Sequence, residues 1–513
     1  MNHAQFWGGA AAPYEIEQSL RFNSADSARL TRTPSSSGNL RTGTISFWIK
    51  RSKLQSQPVQ NTQMSLLGCT GNGPFLLRYR YQQDYLEYNQ GWAGGTGGFE
   101  TLAHYRDVSA WQHVCLVNDF TNATAADKVR LYMNGVRQDL TITSALTNAD
   151  GSWNSTNVHY IGYQAAYFDG YMAEFHNVDG TALDPDQFGE FDNNGVWRPI
   201  AYTGSYGTNG FYLKFDPSAT NGIGHDHSGN GNNWTANNFD TTNSTASTYD
   251  VMSDTPTTNY ATINPLGSNA SSYSEGNLKF VGDTANVSAR GAICTQAVSS
   301  GKWYWEVTID AVSGSSIVGV VKDAGLSSTS NTIIDLYYLN GAYSYAAGSG
   351  NKIEGFGSSV TSSSYGNTYT TNDIIGVALD LDNGAIYFAK NNTWQNSGDP
   401  TSGSSKTGAA FTSFSGGYAA MSCGAQNHTA TFNFGQRAFA YTPPTGYKAL
   451  NTANLPAPTV KDGGDHFNTV LYTGTGGTKA VSGAGFQPDL VWIKNRSRAS
   501  SSHVLVDAVR GAT

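Results

Sequence analysis

Few residues of this 513-residue chain have the type and spacing to do chemistry. Asp380 and Asp382 stand two apart in residues 374–388 (IIGVALDLDNGAIYF), so both side chains leave a strand on one side. A glycosidase carboxylate pair or a cation site would need that arrangement. Asp382-Asn383-Gly384 is also a hairpin-turn sequence in which acidic side chains cap the backbone, and the turn reading outweighs the pair. Asp184 and Asp186 flank Pro185 and read as a loop or a helix start. Residues 225–233 (HDHSGNGNN) place oxygen-bearing side chains at alternate positions, which would suit Ca²⁺. Their two histidines at i, i+2 would suit a transition metal shared between chains. A hydrated connector with left-handed Gly and Asn turns explains the same residues and is preferred. No metal or cofactor is therefore expected, Ca²⁺ being the one cation left open without ligands.

The sequence has no Gly-x-Ser-x-Gly elbow, His-Glu-x-x-His helix, Cys-x-x-Cys pair or phosphate loop. Residues 474–479 (GTGGTK) resemble a phosphate loop in composition alone. The chain is read as a non-enzyme with no catalytic residue. Aromatic residues suggest more. Tyr79, Tyr81, Tyr85, Tyr88, Trp92 and Tyr105 surround a glycine-rich stretch at 91–98. Flat rings on loops of a rigid scaffold stack on the apolar face of a pyranose, and Tyr79, Tyr81, Trp92 and Tyr105 are the candidate ligand-binding residues. Against this, Tyr is a common strand former on half-buried surfaces. Near the start, Phe6 and Trp7 precede a run of small residues ending at Pro13. They read as an anchor for a partner or as a pair folding back on the first domain.

The elements that must position these residues are strands. Short Val/Ile/Tyr/Phe/Trp runs alternate with Gly/Asn/Ser/Thr turns, and no long stretch repeats apolar residues at helical spacing. In residues 44–50, Ile45, Phe47 and Ile49 fall on one face and Ser46, Trp48 and Lys50 on the other. Asn134-Gly135 supplies the positive φ angles of a two-residue hairpin. With 29 Tyr, 23 Phe and 11 Trp the chain is not disordered. A net charge of −8 without a basic stripe excludes a nucleic-acid binder, and no apolar run is long enough to span a membrane. The start lacks the pattern of a signal peptide. Four cysteines are too few for a disulfide scaffold and read as buried thiols of a chain made in a reducing cytoplasm. Cys69 and Cys115 would pair only if neighbouring strands held them together.

The expected organisation is an arm at 1–18, a β domain at 19–203, and an Asn/Thr/Ser/Gly-rich connector at 204–265. A second β domain follows at 266–448, a proline-stiffened linker at 449–458, and the start of a third β-rich module at 459–513. The last has one good strand, residues 489–494, and little core. It needs partner chains or more polypeptide.

Two resemblances follow from these segments. Residues 19–180 resemble the laminin-G/concanavalin A-like jelly roll through SLRF (19–22), TISFWIK (44–50), WQHVCLV (111–117), LYMNG (131–135) and GYMAEF (170–175). Residues 277–439 resemble a SPRY domain through GKWYWEV (301–307), DIIGVALDLD (373–382) and FNFG (432–435). The resemblance implies an all-β chain of tandem antiparallel sandwiches that bind carbohydrate or protein. The combination, with FQPDLVWIKNRS at 486–497, resembles virion proteins of tailed bacteriophages. It implies a tail fibre, assembled in the host cytoplasm as a homotrimer, that attaches to tail proteins and meets a host-surface glycan or protein. A head fibre is the alternative. A glycan depolymerase on the same scaffold is a third reading, which the missing Glu-x-Asp-x-x-Glu pattern weakens.

Overall fold

A computed structural model describes residues 14–54, 63–71, 75–80, 83–90, 97–192, 194–266, 272–282, 290–312, 316–322, 336–337, 339–357, 359–423, 428–457, 459–460, 463–498 and 500–511. The chain divides into two compact units. The larger, residues 1–189 and 199–455, holds two β-sandwiches.

In the first sandwich one sheet runs in the order Val136–Arg137, Val129–Met133, Gln112–Asp119, Thr42–Arg51, Gly170–Asp179, Ser19–Phe22, Val251–Met252, with Phe211–Leu213 also pairing to Gly170–Asp179. The facing sheet runs Leu140–Ser144, Gly97–Thr101, Leu86–Gln90, Phe75–Tyr79, Met64–Cys69, His159–Ile161, Arg29–Arg32, Thr235–Asn237. The alternation of residues 44–50 holds. Ile45, Phe47 and Ile49 enter the apolar core with Phe22, Leu77, Leu116 and Phe175. The other face is covered as well. Ser46 meets the His113 ring at 2.8 Å, and the Lys50 ammonium is fully buried. Asn134 (φ 47°) and Gly135 (φ 75°) close the expected hairpin between Met133 and Val136.

Residues 204–265 are more than a connector. Their strands Phe211–Leu213, Thr235–Asn237 and Val251–Met252 complete both sheets of the first sandwich. Asn and Gly dominate there because the segment threads between strands through capped turns. Asp254 accepts from Lys50 Nζ at 2.9 Å and from Trp111 Nε1 at 3.0 Å. Asp250 accepts from Arg21 Nε at 3.0 Å, and Glu275 pairs with the same guanidinium at 2.7 Å. Buried charge of this kind persists only when paired. The segment goes on to bond the second sandwich, Ser253 N to the Gln436 carbonyl and Ala261 N to that of Leu450.

In the second sandwich one sheet runs Ser272–Ser274, Lys279–Val281, Thr429–Asn433, Lys302–Ala311, Ile374–Asp380, Ala385–Lys390, Thr393–Trp394. The other runs Arg290–Val298, Gly417–Cys423, Ser316–Val321, Ala342–Ala346, Asn351–Gly355, Val360–Ser364. Trp303, Trp305, Val307 and Phe388 fill the space between the sheets. The smaller unit, residues 190–198 and 456–513, takes in most of the two-stranded sheet Gly189–Phe191 with Trp197–Pro199 and the hairpin Leu490–Ile493 with Val504–Asp507. Its Trp492 and Leu505 are exposed.

Cys69 and Cys115 lie on strands of opposite sheets and are free, buried thiols, so the expected condition for a disulfide is not met.

Candidate functional site

Among the described residues, the aromatic side chains singled out in the first domain do not form an exposed platform. Tyr79 is fully buried in the core, with the Arg51 guanidinium 3.7 Å from its ring centroid. Arg51 pairs with the buried Asp84 at 2.9 Å, so the ring is the apolar wall of an internal ion pair rather than a surface for sugar. Tyr105 is 8% exposed and donates to Gln138 at 2.9 Å, while its carbonyl accepts from Arg51. Both rings face inward, Tyr79 at the end of the strand Phe75–Tyr79 and Tyr105 in the loop that follows Gly97–Thr101. Tyr81, Trp92, Phe6 and Trp7 lie outside the described residues.

The polar candidates are structural. Asp380 pairs with Lys302 at 3.0 Å and accepts from the Asn383 amide, and Asp382 accepts from Gly301 N at 2.8 Å. Asp184 precedes the short helix Pro185–Gln187. In the 225–233 cluster Asp226 accepts from Tyr212 N, Ser228 N, Ser228 Oγ and Asn232 N, which saturates it. Among the described residues no group of three or more His, Cys, Asp or Glu side chains could hold a metal ion.

A reactive-looking group does appear in the first sandwich. The strand Gly170–Asp179 bulges between Ala173 and His176, and Glu174 takes φ 48°. Such left-handed, bulged positions re-aim a side chain. The buried Glu174 carboxylate accepts from Tyr14 and Tyr212 at 2.7 Å and lies 3.5 Å from His176 Nε2. Burial works to raise this carboxyl, but His176 and the two phenols outweigh it and hold it below the ordinary glutamate range. Burial pushes both phenols up. One carboxylate saturated by such donors is unsuited to general acid–base work, and it fastens residue 14 to the sandwich instead. A cavity of about 10 Å³ beside Asn118, Asn154 and Asn177 in the same domain holds at most a water.

Among the described residues, an open site lies in the second sandwich. Strand pairing sets Tyr343 directly across from Glu354 and Val321 across from Ala342, which brings Lys322 to the same end of the sheet. Between Lys322, Asn340, Tyr343, Glu354 and Phe356 lies a cavity of about 160 Å³ whose backbone wall includes Gly341 and Gly355. At Gly355 a Cβ would stand 2.4 Å from the Leu339 carbonyl oxygen, so the wall admits only glycine. Phe411 and Phe414 hold the Tyr343 ring edge-on, each at 5.1 Å. The Lys322 ammonium lies 5.1 Å from the Tyr343 centroid and 5.7 Å from that of Phe414. Burial, aided by the Glu354 carboxylate, pushes the Tyr343 phenol up to about 12, so it remains a hydrogen-bond donor at neutral pH. Phe356 is 48% exposed. The site thus offers a cation, a carboxylate, an amide and an apolar face around a space for one ring. Sequence reasoning missed it because its residues come from separate strands and the turns between them. The one local signal was Phe356, an aromatic between two glycines in a polar stretch.

Comparison with known families fits this architecture. Residues 23–187 match the concanavalin A-like lectin/glucanases superfamily, and residues 302–437 match the SPRY domain. The larger unit is thus a concanavalin A-like sandwich followed by a SPRY-like sandwich. Residues 462–513 match a domain of unknown function, DUF7483. No curated protein matches the sequence. Among solved structures the chain is similar to the SPRY domain of human HERC1 (17% identity, TM-score 0.23), covering 30% of this chain and 87% of that one. It is also similar to a heptameric SAP-like pentraxin of Limulus polyphemus (12% identity, TM-score 0.25; 34% and 81% covered). A third is the binding domain of Paraclostridial Mosquitocidal Protein 1 (15% identity, TM-score 0.26), of which 41% is covered, against 33% of this chain.

Proposed function

We propose that the chain is a non-enzymatic adhesive component of a tailed-phage particle, a tail fibre that holds a surface glycan or protein of the host. In this reading the cavity of the SPRY sandwich is a contact site. The observation that carries the reading is that cavity: an aromatic face with both signs of charge, with Phe356 half-exposed, at one end of three neighbouring strands. The carboxylates that drew attention as catalysts are occupied by backbone amides, phenols and lysine. A site for one ring binds weakly alone, and several copies on one fibre, as in a homotrimer, raise its strength by effective concentration. The test is antibody labelling of intact particles combined with retention of the full chain on surface polysaccharide. Label at the tail with retained polysaccharide supports the proposal. Label at the head favours a head fibre, and absence of the chain from particles overturns it.

A further inference from the structure

We infer that the cavity of the second sandwich selects an acidic sugar, a pyranose bearing a carboxylate, and that Lys322 is the selecting residue. This rests on reading the cavity as a contact site.

Size comes first. At about 160 Å³ the cavity is well below the roughly 300–1,000 Å³ of sites for drug-sized ligands, so it takes one ring and leaves a polymer outside. Its apolar face suits the C–H face of a pyranose. Phe356 is exposed, and Tyr343 is wedged by Phe411 and Phe414 and does not turn aside. Charge then chooses among pyranoses. Lys50, Lys302 and Lys390 each pair with an aspartate at 2.9–3.1 Å. Lys352, one strand away, donates to the Ala410 carbonyl. Lys322 differs: among the described residues its ammonium has no carboxylate partner and rests over two aromatic faces at the cavity wall. Among the described residues no acceptor is bonded to its N–H donors, which leaves them for a ligand. Glu354 stands on the same cavity, its carboxylate beside the Tyr343 phenol. It accepts from sugar hydroxyls and repels a ligand carboxylate, which directs that carboxylate to Lys322. The chain's net charge is −8, so selection of an anion is local rather than a long-range pull.

The experiment titrates the full chain with methyl β-glucuronide, methyl β-glucoside and methyl β-glucosaminide by ligand-observed NMR. The glucuronide is expected to bind about tenfold or more tighter than the glucoside, the scale of one charge-assisted hydrogen bond. Lys322→Met should erase the difference at an unchanged melting temperature. Lys322→Arg should keep most of it, and Phe356→Ala should weaken both ligands. Equal binding of glucuronide and glucoside overturns the inference, as does tighter binding of the glucosaminide through Glu354. The adhesive reading is tested separately. If the full chain adheres to a bacterial surface and the glucuronide does not compete, the acidic-sugar inference fails and adhesion stands. If Phe356→Ala leaves adhesion unchanged, the cavity is not the contact site.

Discussion

Lowering the pH from 7 to 5 should destabilise the first sandwich more than the second, and buried histidines set the difference. Burial holds His113 down to about 3 and His159 to about 4 in the first sandwich, and His428 to about 4 in the second. His113 meets Ser46 at 2.8 Å and His428 meets Ser316 at 2.6 Å, and both are fully enclosed. In the unfolded chain each imidazole titrates near 6.5. Between 6.5 and the folded values the unfolded state holds the extra proton, so stability is complete above 6.5 and falls as pH drops through that window. Over pH 7 to 5 each histidine costs about 2 kcal/mol. Asp250 acts in the opposite sense: burial raises its carboxyl to about 6, so acidification returns about 1 kcal/mol. His113, His159 and Asp250 together give a loss of about 3 kcal/mol in the first sandwich, to which the lowered His227 adds and which the raised Glu275 offsets; His428 alone gives about 2 kcal/mol in the second, offset by the raised Glu306. Urea unfolding of the full chain at pH 7, 6 and 5, followed by tryptophan fluorescence, measures this. His428→Gln should flatten the slope of the second transition alone. Midpoints that stay constant or rise on acidification would refute the argument, because they would mean that these rings are protonated in the folded state.

Asp254→Ala leaves the Lys50 ammonium buried without its carboxylate and should cost about 3–5 kcal/mol, read as a lower melting temperature of the full chain. A fragment 19–203 lacks Asp250, Asp254 and three strands, and should give no cooperative calorimetric transition, whereas a fragment extended to residue 282 should give one. Tyr14→Phe removes one of the donors to Glu174 and should cost about 1–2 kcal/mol, read as a lower melting temperature of the full chain. Cys69 and Cys115 are enclosed, with thiols pushed up by burial, Cys69 to about 12. They should resist thiol reagents until the chain is unfolded.

The sandwiches were legible because their signals are local. Alternation in residues 44–50, the Asn134-Gly135 turn and the turn at 381–384, which Asp380 rather than Asp382 caps at Asn383 N, depend on neighbours in sequence. The role of residues 204–265 was not legible, because three-residue strands such as Phe211–Leu213 carry too little periodicity to separate from loop. Only tertiary pairing with Gly170–Asp179 makes that one a strand. The inward turn of Tyr79 was hidden for a related reason: its environment is set by Arg51 and Asp84, charged residues that composition places at the surface. The SPRY cavity joins Lys322, Tyr343, Glu354 and Phe356 across three strands and their turns. No spacing rule connects them before the sheet is formed.

The central claim is that this protein acts by holding a ligand without changing it. It is tested most directly by incubating the full chain with an array of bacterial surface polysaccharides while following both retention and release of reducing ends. The account predicts saccharide retained, lost on Phe356→Ala, with no new reducing ends. Reducing ends released by the wild-type chain, or retention that Phe356→Ala leaves intact, would contradict it.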